Sequence, residues 1–170
     1  MLSDLRFRVP LLLVVALVVH TVLLPSVRIV GVMPDLMLLV AVAAGLEAGP
    51  GFGAAVGFAS GMLADLVLPT PLGLSALVFT LCGYAVGVTK GGLIRGAWWF
   101  PVLVVLAASS IGEGTFALAG WMIGEEGLVN GHLPTIMLVV AILNAILAMP
   151  VLRTVRWALA GRDQIRSFAE

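Results

Sequence analysis

The feature that most constrains this chain is a series of long apolar segments with few or no charged residues. The first, residues 9–27, contains no Asp, Glu, Lys or Arg, and a helix of about 20 such residues crosses the roughly 30 Å hydrocarbon core of a bilayer. Only 11% of the 170 residues are charged, whereas soluble domains carry about 25%. The sequence therefore predicts an integral membrane protein.

Glycine and proline residues divide the chain into six such segments. They are residues 9–27, 29–46, 52–68, 72–89, 98–123 and 133–152, and a short basic tail follows over residues 153–170. Because a backbone in lipid must satisfy its hydrogen bonds internally, we predict one all-α transmembrane domain over residues 1–170, a compact bundle of about six helices. Segments two and three are joined by a short turn, so a five-span or re-entrant arrangement is the alternative.

The basic residues indicate the orientation of this bundle. With six crossings, only Arg28 falls on one side, and all the other basic residues fall on the opposite side. These are Arg6, Arg8, Lys90, Arg95, Arg153, Arg156, Arg162 and Arg166. Since cytoplasmic loops are enriched in Lys and Arg, both termini are predicted to be cytoplasmic. The net charge of zero predicts no nucleic-acid partner.

Segment three carries small residues at a regular spacing. Gly53, Gly57 and Gly61 are four residues apart, and Asp65 continues the same row. Residues at this spacing lie along one face of a helix, and small residues on that face let a second helix approach closely in a membrane. We therefore predict that this face packs against another helix or a partner protein, and that Asp65 faces protein rather than lipid.

Other polar residues interrupt the apolar segments. Pro34 and Asp35 open segment two, where Asp35 is expected to cap the helix, to pair with Arg28 or to dock a partner. Arg28 is the one basic residue on this side and is available to pair with either Asp35 or Asp65. Glu113 in segment five and Asn144 in segment six are expected to meet inside the bundle and form interhelical hydrogen bonds.

The sequence lacks the motifs that indicate catalysis or metal binding. The two histidines are not spaced as an H-x-x-x-H pair, and no nucleophile elbow, phosphate-binding loop or Rossmann glycine motif is present. We predict no catalytic residue, no metal site and no cofactor, and therefore no enzyme. An intramembrane enzyme, the remaining catalytic alternative, would use Asp65 or Glu113 as its acid or base.

Two motifs in the middle of the chain carry a resemblance to a known family. Residues 33–36 read Met-Pro-Asp-Leu at the opening of segment two. The row Gly53-x3-Gly57-Phe58-x2-Gly61-x3-Asp65 is followed by Pro71-Leu72-Gly73. Both resemble the Pro-Asp-Leu segment and the glycine-rich third helix and turn of the rod shape-determining protein MreD family, whose length and basic ends are also similar.

The resemblance implies a non-enzymatic, multi-pass component of the bacterial cytoplasmic (inner) membrane that works in cell-wall elongation. The implied partners are MreC, the RodA glycosyltransferase and a class B penicillin-binding protein, with MreB as a further candidate. The implied role is to help direct or regulate lateral peptidoglycan synthesis and to maintain cell shape. The family is also similar in fold to the substrate-binding component of energy-coupling-factor transporters, so vitamin-type small-molecule binding is the alternative function.

Overall fold

The computed structural model describes residues 2–26, 28, 31–89, 99–124 and 132–160, with side chains from Phe7 onwards. The described residues form six α-helices. These are α1 (Leu2–Val18), α2 (Leu36–Ala48), α3 (Pro50–Val67), α4 (Leu74–Thr89), α5 (Phe100–Met122) and α6 (Leu133–Leu159). Helix α1 continues through a π-helical turn, Val19–Leu23, and a 3-10 turn, Leu24–Ser26. The predicted all-α fold with about six helices is confirmed.

Helix length separates these elements into two groups. Four helices of the described chain are long and apolar enough to cross a membrane, namely Phe7–Ser26, Pro50–Val67, Phe100–Met122 and Leu133–Leu159. Helices α2 and α4 have 13 and 16 residues, which corresponds to about 20 and 24 Å and is less than the roughly 30 Å core. By length and composition alone, the described residues therefore contain four candidate membrane spans.

The helix of segment two starts later than the predicted boundary. Residues 31–35 are not helical, and α2 starts after them. The residue before a proline avoids the helical region, and Asp35 then adopts an extended conformation with φ −94° and ψ 91°. Its Oδ1 atom accepts hydrogen bonds from the backbone N–H groups of Met37 and Leu38, both at 3.0 Å. Pro34 and Asp35 thus precede the helix instead of forming its first turn.

The last helix ends later than the predicted segment. The predicted segment six ends at residue 152, before the basic residues, but α6 continues to Leu159. Arg153 and Arg156 consequently lie on the helix, where positive charge near the C-terminus is favourable. Pro150 lies inside α6 without ending it, and membrane helices tolerate such a proline.

Some of the predicted features lie outside the described residues. They are the segment starts at residues 29 and 98, the basic residues Lys90, Arg95, Arg162 and Arg166, and the side chain of Arg6.

Helix α2 occupies the centre of the bundle. All its side chains from Leu36 to Ala44 are buried, and it contacts each of the other five helices. A helix that is apolar on every side is buried among other elements. The surrounding helices carry the exposed apolar side chains, which suits an exterior in contact with lipid tails.

Contacts between helix termini fix one end of the bundle. The Arg156 Nε atom lies 2.7 Å from Oε1 of Glu47 at the end of α2. The guanidinium of Arg8 in α1 lies over the Trp157 ring, 5.2 Å from its centroid. The first helix therefore starts where the second and sixth helices end, and Arg8 and Arg156 lie at the same end of the molecule.

Candidate functional site

The glycine row of α3 packs directly against α4. Gly53, Gly57 and Gly61 are all buried, and a Cβ atom added to any of them would overlap backbone atoms of α4. The contacted residues are, in the same order, Gly83, Phe79 and Ala76. Backbone atoms cannot rotate away as side chains do, so only glycine permits this helix separation. The contact between α3 and α4 is the most extensive in the described structure.

Glycines of α2 and α4 extend this contact to a third helix. A Cβ on Gly45 would overlap the carbonyl of Gly83 and lie 3.1 Å from the backbone nitrogen of Gly87. A Cβ on Gly87 would in turn overlap the backbone of Pro50 at the start of α3. These three glycines are not among the residues predicted from the sequence. The four-residue spacing of Gly83 and Gly87 is the same signal that identified the row in α3 and would have found them.

Because α4 and α2 cover the glycine row, its packing surface is occupied within the chain. Close backbone approach increases dispersion contacts between helices, and this packing drives helix association where lipid removes the hydrophobic effect. The surface defined by Gly45, Gly53, Gly57, Gly61 and Gly83 is called the glycine seam below. It joins α2, α3 and α4 into one unit.

Asp65 connects the end of α3 to the start of α4. Its side chain is buried, and Oδ2 accepts from the backbone N–H groups of Gly73 at 2.8 Å and Ala76 at 3.3 Å. Oδ1 accepts from Ser75 N at 3.2 Å and from Thr70 Oγ1 at 3.0 Å. The first N–H groups of a helix lack partners within it, and a carboxylate at this end is favoured by the helix dipole. Asp65 thus caps α4 from the neighbouring helix.

Arg28 does not pair with either acid in the described part of the chain. Its side chain is exposed, while Asp65 is saturated by the donors of the α3–α4 turn. Asp35 bonds instead to two backbone amides of its own helix. Of the alternatives considered for Asp35, the geometry matches the helix cap.

Glu113 and Asn144 do not bond to each other among the described residues. Asn144 is fully buried, and its Nδ2 atom donates to Oγ of Ser109 at 2.9 Å. Ser109 lies one helical turn before Glu113 on α5, so α5 and α6 are linked by a polar contact one turn away from the predicted one. The Oδ1 atom of Asn144 has no hydrogen-bond partner in the described structure.

The structure brings Glu113 and Asp35 together at the wall of one cavity. This cavity has a volume of about 330 Å³ and is lined by residues of the five helices α2 to α6 and of the segment that precedes α2. His20, from the π-helical turn after α1, also lines it. His20 is not among the residues predicted from the sequence, because a single histidine near a helix end belongs to no motif.

Most of the chain that these helices occupy matches a known protein family. The model of the rod shape-determining protein MreD family matches residues 1–156. The chain belongs to the MreD family. No characterised protein and no solved structure matches it significantly. The match covers five helices and most of α6, so it extends well beyond the motifs that carry the resemblance, and it confirms that resemblance.

Membership of the MreD family fixes the general role of the chain. The family determines rod shape, and it is a family of structural membrane proteins rather than of enzymes. Together with four apolar helices of membrane-spanning length, membership identifies a multi-pass inner-membrane protein that takes part in rod shape determination.

Proposed function

We propose that this protein is a non-enzymatic component of the rod complex that binds MreC within the membrane. Through MreC it would help direct or regulate lateral peptidoglycan synthesis by the RodA glycosyltransferase and a class B penicillin-binding protein, with MreB on the cytoplasmic side. The observation that carries the proposal is the MreD family match over residues 1–156.

The arrangement of the helices supports a role as a membrane-embedded partner. Only Gly49 separates α2 from α3, and residues 68–73 separate α3 from α4. Connections this short present no folded domain outside the membrane at these points. Partners would therefore meet the outer surfaces and ends of the helices, which are largely apolar.

The proposal includes a topology of six crossings with both termini in the cytoplasm. In it, α2 and α4 cross as shorter helices shielded by their neighbours, in a bundle similar to the substrate-binding component of energy-coupling-factor transporters. The proximity of Arg8 and Arg156 at one end supports this orientation, since basic residues collect on the cytoplasmic side.

We assign the glycine seam and Asp65 to packing inside the chain. Their contacts hold α2, α3 and α4 at a fixed separation, and partner binding would depend on this unit indirectly. Pro34 and Asp35 would set the start of the central helix within the same unit.

A mild-detergent pull-down of the tagged protein from its own membranes tests the proposal. Stoichiometric MreC, together with the elongation synthase, is the expected result. Gly57→Leu should reduce the amount of MreC recovered per tagged protein and should fail to restore rod shape in cells that lack the wild-type protein. Gly51→Leu is the matched control, because no atom lies within 4 Å of a Cβ at this position. Equal recovery and equal cell shape for both variants would refute the role of the seam.

The cavity beside Glu113 favours a second candidate function, the binding of a small molecule in a transporter. A volume of about 330 Å³ lies at the lower end of the range for ligand pockets. The same pull-down separates the two functions. Recovery of an ATPase module, its coupling subunit or a bound vitamin in place of MreC would replace the rod-complex proposal with the transporter.

A further inference from the structure

The cavity beside Glu113 contains polar groups that have no partner in the described chain. His20 is only 3% exposed, and its Nδ1 atom has no hydrogen-bond partner. Glu113 forms no hydrogen bond or ion pair within the described residues, and only Oδ1 of Asp35 is used by the helix cap. Leaving a buried polar group unpaired costs about 1–3 kcal/mol. A cavity that holds one such nitrogen beside two half-buried carboxylates is suited to an occupant that pairs with them.

The charges at the cavity indicate the sign of that occupant. Asp35 and Glu113 both line it and interact electrostatically. His20, which interacts with Asp35, is the only basic side chain on its wall, so two carboxylates face one imidazole. Two carboxylates in a site of low dielectric repel each other, and a nearby cation relieves that repulsion. Arg28 is exposed and does not line the cavity. The occupant is therefore expected to carry positive charge.

The rest of the wall indicates an organic cation rather than a metal ion. Within the described residues, no three His, Cys, Asp or Glu side chains are placed to hold a metal. Much of the wall is apolar, with Phe79 from α4, Phe116 from α5 and Ile136 from α6 among its members. Apolar walls with a few convergent polar groups are typical of ligand sites. The occupant should thus combine a cationic group with an apolar stem.

We propose that this cavity binds a primary ammonium group on an apolar stem, with the ammonium between Asp35 and Glu113. A primary ammonium has three N–H donors. The acceptors on the cavity wall are the Asp35 oxygen that the helix cap does not use, the Glu113 carboxylate and the unpaired His20 nitrogen. The stem lies along Phe79 and Phe116. Both a soluble alkylamine and the headgroup of an aminophospholipid have this chemistry. The proposal is independent of the rod-complex function.

Titration of the purified, delipidated protein with n-hexylammonium tests this site. Hexanoate and 1-hexanol, which share the stem, serve as controls, and binding is read from the thermal unfolding temperature and by calorimetry. Hexylammonium alone should give a saturable stabilisation. Glu113→Gln and Asp35→Asn should each weaken it about tenfold, the effect of losing one charge-assisted contact. Asn at position 35 retains an oxygen that caps the helix, so folding should persist. Glu47→Gln, at the opposite end of the bundle, should bind as wild type does.

Two further measurements separate the sources of the amine. If the ligand is a lipid headgroup, native mass spectrometry of the protein in nanodiscs should show that phosphatidylethanolamine is retained in preference to phosphatidylglycerol. The Glu113→Gln variant should lose this preference. A retained soluble amine with no preference between the lipids would identify a free ligand. The proposal is overturned if hexanoate or hexanol stabilises as well as hexylammonium does. It is also overturned if Glu113→Gln loses MreC yet binds hexylammonium normally, because the cavity would then receive a protein side chain.

Discussion

Replacing Gly57 by alanine adds a single methyl group at the middle of the glycine seam. In the structure this methyl group would lie 2.6 Å from the carbonyl carbon of Phe79 and 2.9 Å from the nitrogen of Thr80. Ordinary van der Waals contact begins at 3.4 Å. Since both neighbours are backbone atoms of α4, no side-chain rotation relieves the overlap, and the two helices must separate.

The required separation sets the size of the effect. A shift of roughly 0.5–1 Å forfeits a quarter to a half of the dispersion energy of each atom pair it opens, and overpacking of this kind typically costs about 1–3 kcal/mol. Alanine recovers about 0.5–1 kcal/mol because it favours the helix more than glycine does. We therefore expect Gly57→Ala to lower the free energy of unfolding by about 1–2 kcal/mol.

Reversible unfolding by sodium dodecyl sulfate in mixed micelles, followed by tryptophan fluorescence, measures this change. Gly51→Ala is the matched control, since it adds the same methyl group to the same helix where no atom lies within 4 Å, and it should not destabilise the protein. If Gly57→Ala unfolds at the same denaturant concentration as Gly51→Ala, the close contact between α3 and α4 does not stabilise the fold and the reasoning fails.

The other polar contacts give predictions of different size. Asp65→Ala should lower the unfolding temperature more than Asp65→Asn, because the amide oxygen still accepts from the first N–H groups of α4 and loss of a cap costs about 1 kcal/mol; the reverse order would contradict the cap. In a double-mutant cycle, Asn144→Ala and Ser109→Ala should show a coupling of about 0.6 kcal/mol, as membrane hydrogen bonds do on average, and additive effects would contradict the bond. Arg156→Ala should change the unfolding midpoint little, since its ion pair with Glu47 is exposed and such pairs contribute little; a large loss would show that this end of the bundle is fixed by charge.

The features that could be predicted from the sequence are those that depend on one helix at a time. Long uncharged segments have no other stable state in lipid than helix, so the number of helices and most of their bounds follow. The spacing of Gly53, Gly57 and Gly61 defines one face whatever the partner, so a close helix contact was predictable. The identity of that partner, α4, was not predictable, because any neighbouring helix would satisfy the same pattern.

Features that depend on the relative height of two helices could not be predicted. Asn144 bonds to Ser109 and not to Glu113, although both α5 residues lie on similar faces one turn apart. One turn is about 5.4 Å along the axis, and nothing in either helix sets their offset to that accuracy. The bond between Asp65 and the backbone of Gly73 escaped prediction for a similar reason. Backbone N–H donors cannot be recognised from the residue types in a sequence. The charge of Arg28 can be recognised, but in the described part of the chain Arg28 does not pair with Asp65.

The short central helix and the cavity are consequences of one structural feature. Helix α2 covers about 20 Å of depth, and the five non-helical residues from Gly31 to Asp35 can add up to about 16 Å, so together they reach across a bilayer core. Non-helical backbone at membrane depth is tolerated where it is enclosed by protein or lines a cavity, and this segment lines the cavity. Extending α2 by one more turn in place of Pro34 and Asp35 would remove the wall and one of the carboxylates. The break in the helix therefore creates the polar end of the cavity, while the glycine seam holds the other end of α2 in place.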